Sequence, residues 1–127
     1  MGLDNYASRT PDEVTLSEED QAAFESAGID LCGGIHSDGS TSFRGKMYWD
    51  LVLEVTGESL HREWLPPAVV QRMAAALASH TPAALAATND GVRARAGEHS
   101  TFDEEMAELQ RFFAICAERG LGLIAWS

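Results

Sequence analysis

Apolar residues return every three to four positions over much of this chain, and where they do, the flanking residues supply helix boundaries. In "PAVVQRMAAALASH", Val69, Val70, Met73 and Leu77 share one face. That spacing predicts a helix from Pro67 to about His80, with the proline in its first turn. A second stripe, Phe102, Met106, Leu109, Phe113 and Cys116 with Phe112 beside it, predicts a helix over about 102–119. Thr101 and Glu104 form a capping box at its start and Gly120 ends it. Ser17 reads as an N-cap followed by Glu18, Glu19 and Asp20 in a first turn, where negative charge meets the positive end of the helix dipole. That helix turns Ala23, Phe24 and Ala27 inward and stops at Gly28. Thr81-Pro82 repeats the cap-plus-proline signature and opens a short helix ending near Asn89.

The stretch "SFRGKMYWDLVLEVTG" supports two periods. Positions 47, 49, 51, 53 and 55 are apolar against polar 50, 54 and 56, which suits a half-buried strand. Positions 43, 47, 48, 51, 52 and 55 also form a helical stripe, with Asp50 and Glu54 opposite. Ser42 as N-cap and Gly57 as C-cap bracket a helix of ordinary length, and helix is the reading adopted.

The remaining segments are short or polar. Residues 1–16 read as an extended or irregular lead-in anchored by Leu3 and Tyr6, and "GIDLCGG" fits either a short strand or a buried turn. "SLHREWLPP" reads as a connector with a short turn, stopped by Pro66 and Pro67. Residues 90–100, with two glycines and two arginines among polar neighbours, read as a mobile loop. "LGLIAW" is short and apolar enough for a strand, and an N-terminal strand paired with it would cover both chain ends. The fold class expected is mainly α with a small β component (α+β). It comprises a single domain over 1–127, with four to five helices and short strands near the termini.

Composition narrows the function. The 127 residues suit one domain with one core. Hydrophobic content of 45% and charged content of 23% are ordinary globular values. Twenty acidic side chains against nine basic ones give a formal net charge of -11. A field of that sign repels phosphate backbones and anionic lipid, so neither nucleic acid nor membrane is an expected partner, whereas a basic protein is. The two cysteines, Cys32 and Cys116, lie in apolar contexts typical of reduced thiols. No leader-like segment opens the chain and no run approaches the roughly 18 apolar residues of a membrane span. The expected compartment is a reducing cytoplasm, and the alanine-rich composition has a bacterial cast.

Candidate chemistry centres on "CGGIHSDGSTSFRGKM", Cys32 to Met47. It is not a P-loop: Gly39 and Gly45 are separated by five residues rather than four, and Met47 stands where a magnesium-binding hydroxyl is needed. Nor is "DGSTS" a calcium loop, lacking alternating acidic ligands and a closing Glu. If a helix begins at Phe43, the free amides of its first turn, with Arg44, Lys46 and the hydroxyls of Ser40, Thr41 and Ser42, form a place for a small anion. Cys32 and His36 have a tolerable metal-ligand spacing with Asp38 near, but three ligands in one loop leave a site open, and no metal or cofactor is expected. No GxSxG elbow is present. Trp49 reads as core, while Trp64, after His61, Arg62 and Glu63 and before two prolines, reads as partly exposed.

The function expected first is therefore a small acidic non-enzymatic protein-interaction domain. The alternative is a small enzyme or anion-binding domain with its site in loop 32–46, drawing on Cys32, His36, Ser42, Arg44, Lys46, His61 and Trp64.

Overall fold

Ser17 caps the first helix through a reciprocal pair of bonds. The Asp20 amide donates to Ser17 Oγ at 3.1 Å, and the Ser17 amide donates to Asp20 Oδ2 at 3.0 Å. The computed structural model describes residues 3–33, 37–93 and 103–126. Within them, β1 (Asp4–Ser8) precedes α1 (Glu18–Ser26), β2 (Ser42–Arg44) and a 3-10 turn (Gly45–Met47). Then come α2 (Trp49–Thr56), β3 (Trp64–Leu65), α3 (Pro67–Ala78), α4 (Pro82–Arg93), α5 (Asp103–Arg119) and β4 (Gly122–Trp126). Gly28, Gly57 and Gly120, all at positive φ, follow α1, α2 and α5 as their positions in the sequence suggest. The class is the expected one: five described helices with a small sheet whose two central strands lie near the termini.

The sheet is antiparallel throughout, in the order β2-β1-β4-β3. β1 and β4 pair over their whole lengths, from Asp4 opposite Trp126 to Ser8 opposite Gly122. The pairing of the N-terminal with the C-terminal strand is thus present, in the centre of the sheet. Alternation sends Leu3, Ala7, Phe43, Leu65 and Leu123 to one face, where they join the helices in the core. Phe112 of α5 is the hub. Its ring lies 5.0 Å from Phe43 at 87° and 5.1 Å from Phe24. Full burial of such a ring is worth about 1.5–3 kcal/mol. α5 also braces the end of α3: Gln110 Nε2 donates to the carbonyls of Leu77 (2.9 Å) and His80 (2.8 Å).

Three expectations need correction. No helix begins at Phe43, so Ser42 is not its cap. Residues 42–44 are an edge strand, followed by the 3-10 turn, and α2 starts only at Trp49 with no side-chain cap. The reason is non-local: the Arg44 amide donates to Cys32 O (2.7 Å) and the Gly45 amide to Leu3 O (2.8 Å), which draws the segment into the sheet and buries Phe43. Gly45 is glycine for packing, since a Cβ there would run into Asn5 Oδ1 and Leu3. The connector before Pro66 contains a two-residue strand, β3, too short for any period to register. Helix α4 runs to Arg93 rather than Asn89, taking the first residues of the expected mobile loop. Thr81 caps it as expected, accepting the Ala84 amide at 3.1 Å. The rest of that loop, together with Thr101 and Phe102, lies outside the described residues.

Candidate functional site

Helix α5 opens with Asp103, Glu104 and Glu105, a first turn that suits the helix dipole, and Glu108 follows one turn on. Opposite them runs the irregular segment from Asp30 to Cys32. Together Asp30, Leu31, Cys32, Glu104, Glu105 and Glu108 line an open groove of about 520 Å³. Four of these six side chains are carboxylates and none is a cation. Arg111 stands at the margin, its Nη2 4.0 Å from Glu108.

A buried tyrosine holds the two walls together. The Cys32 amide donates to Tyr48 Oη at 3.0 Å, and that hydroxyl donates to Glu105 Oε2 at 2.5 Å. Burial, and then the adjacent Glu105 charge, push the Tyr48 phenol well above its ordinary range, so it stays a donor at every physiological pH. The effect is to hold Glu105 in place as an acceptor on the groove wall.

Glu108 is the buried member of the set. Burial raises its carboxyl pKa above the usual value; Glu104 and Asp30 add to this, against the Asp30 amide and Arg111. With the folded-state value above the unfolded one, the stability this group contributes is complete below the unfolded pKa and lost as pH rises through the folded pKa. Glu108→Gln keeps an acceptor for the Asp30 amide and removes the buried charge. It should raise stability at pH 7, with the gain shrinking as pH falls through the usual carboxylate range. Urea melts at pH 7 and within that range check this, and an unchanged or lower midpoint at pH 7 would contradict it.

The residues singled out in the sequence are dispersed. Cys32 lines the groove and packs partly on the core, half-buried rather than enclosed as Cys116 is. His36 lies outside the described residues. Ser42 accepts the Asp38 amide at 2.9 Å, and Asp38 in turn takes the amides of Ser40 (2.8 Å), Thr41 (2.9 Å) and Ser42 (3.1 Å) and the Thr41 hydroxyl (2.8 Å). Burial opposes ionisation of Asp38, but these donors outweigh it and hold its pKa below the usual value. The loop's amides do grip an anion, and it is the protein's own carboxylate. Arg44 points away from the core beside Asp4, its buried Nε without an acceptor, and Lys46 is exposed on the 3-10 turn. His61 stacks on Trp49, ring centroids 4.4 Å apart, at a separate depression shared with Asp50, Leu53 and Ser59. Trp64 is half-buried on the outer face of the sheet.

Sequence reasoning missed Asp30, Glu104, Glu105 and Glu108 as a group. The i, i+1, i+4 spacing of the three glutamates was a readable signal, whereas the wall from Asp30 to Cys32 is not. Among the described residues no three ligand-type side chains converge as a metal centre requires, and no helix is long and apolar enough to cross a membrane. No protein-family model, curated protein or solved structure matches the chain.

Proposed function

We propose that this protein is a non-enzymatic interaction domain whose acidic groove receives a basic segment of a partner protein. The carrying observation is the lining of that groove: Asp30, Glu104, Glu105 and Glu108 face one open space with no cation among the lining side chains. Such a wall attracts lysine and arginine and repels phosphate and carboxylate. Glu108 adds a specific incentive, because a bound cation relieves the cost of its buried charge. Tyr48 fixes one wall in advance, which lowers the ordering cost of binding.

The alternative, an anion site in loop 32–46, has one observation in its favour, the buried Arg44 Nε without an acceptor. Against it, the amides of Ser40, Thr41 and Ser42 and the Thr41 hydroxyl are already committed to Asp38. The interaction reading is the better supported.

The test is a titration with a fluorescent lysine-rich peptide. Binding should weaken steeply between low and physiological salt. Asp30→Asn combined with Glu104→Gln, both at exposed positions, should weaken it several-fold, since exposed ion pairs are worth about 0.2–1 kcal/mol each. Affinity that ignores both salt and the double substitution would reject this groove as the binding site.

A further inference from the structure

The helices cover one face of the sheet. On the other face, alternation places Asp4, Tyr6 and Ser8 of β1 beside Trp126, Ile124 and Gly122 of β4, with Trp64 next to Ile124. Trp64 lies down over Gly122, where any Cβ would run into its indole, and Tyr6 flanks Trp126 with ring centroids 6.0 Å apart. Of the large apolar side chains that the described residues leave most exposed, two stand together here. Trp126 is 63% exposed and Val14 45%. They line a groove of about 300 Å³ with Ile124, Ala125 and the carboxylate residues Asp12 and Glu13.

We infer that this groove is a docking site for an arginine side chain of a partner protein, the guanidinium lying on the Trp126 indole and pairing with Asp12 and Glu13. Charge complementarity selects the occupant. Among the described residues no cation pairs with either carboxylate: the nearest arginine in sequence, Arg9, is turned to Asp20, both of its bonds at 2.7 Å. An exposed tryptophan face attracts a cation, and a planar guanidinium can stack on it while forking to a carboxylate, which an ammonium cannot do. A second copy of this chain would bring like charges together, each chain carrying -11.

The groove is also built rather than incidental. Ser8, buried in β1, accepts the Thr15 amide at 2.9 Å and lies 2.9 and 3.0 Å from the carbonyls of Thr10 and Glu13, while the Arg9 amide donates to Thr15 O at 2.9 Å. Those bonds pin the turn that presents Asp12, Glu13 and Val14 before any partner arrives. This surface is distinct from the acidic groove, and the inference stands independently of that reading.

The experiment is an NMR titration of the labelled full chain with acetyl-Gly-Arg-Gly-amide, following the Trp126 indole N–H with that of Trp49 as control. Trp126 should shift and saturate while Trp49 stays in place. The double variant Asp12→Asn, Glu13→Gln should weaken binding by roughly threefold or more, and the lysine peptide should bind more weakly than the arginine one. Trp126→Phe, a conservative change at an exposed position, should keep the dispersed spectrum of the fold and bind more weakly. Asp30→Asn with Glu104→Gln should leave this titration unchanged, separating it from the acidic groove. A still Trp126, an equal response to the uncharged citrulline peptide, or Trp126 shifts that follow protein concentration without peptide would each overturn the inference, the last by assigning the face to a second copy.

Discussion

Asp20→Ala should destabilise the protein by about 3 kcal/mol, toward the low end of what removing one partner from a buried ion pair costs. Asp20 is fully buried and ties three parts of the chain together. Arg9 reaches it from the loop after β1 through two bonds of 2.7 Å, Arg119 from the last turn of α5 through a third of 2.7 Å, and the Ser17 amide closes the α1 cap on it. The low end applies because the arginines, 42% and 31% exposed, recover water when the carboxylate goes. Arg9 first, then the Ser17 and Arg119 bonds, outweigh burial and hold the carboxyl well below the usual range. The unfolded state therefore binds this proton more readily, so the contribution is present above about pH 4 and is lost as pH falls further. The wild type should lose stability from pH 4 downward more steeply than the variant. Urea melts across that range measure both effects, and parallel pH profiles would disprove the assignment.

Tyr48→Phe should cost about 1–3 kcal/mol, because it strands the Cys32 amide in a part-buried place without its acceptor and frees Glu105 from its donor. The ring itself stays packed against Phe43, so the loss isolates the hydroxyl. Its effect reaches the acidic groove as well as the fold. With Glu105 loosened and the 30–32 segment released, hydrogen exchange at Cys32 should quicken and the lysine-rich peptide should bind more weakly. A loss under about 0.5 kcal/mol would mean that water replaces the hydroxyl at no cost.

These two residues illustrate what the sequence makes legible. Asp20 was readable as part of a first turn, and its capping role follows from spacing alone; that two distant arginines converge on it does not. Helices α1, α3 and α5 were visible because caps, prolines and period act within a few residues of one another. Strands β2 and β3 were not, being three and two residues long and held by partners far away in the chain. The loop from Cys32 to Met47 drew attention through its glycines and hydroxyls, yet the Thr41 hydroxyl is bonded to Asp38 and Gly45 makes room for Asn5. The acidic groove was half legible, its α5 wall a periodic pattern and its opposite wall a product of tertiary structure.

The middle of the sheet joins the first of the described strands in chain order to the last. Until residues 122–126 emerge from the ribosome, β1 has no neighbour on its inner edge and β3 has none at all. Helices can form locally on the way, but the β1–β4 pairing closes a loop that contains every other described element, and closing so long a loop favours late sheet formation. Until then Ala7 lacks Leu123, the residue that lies opposite it on the core face.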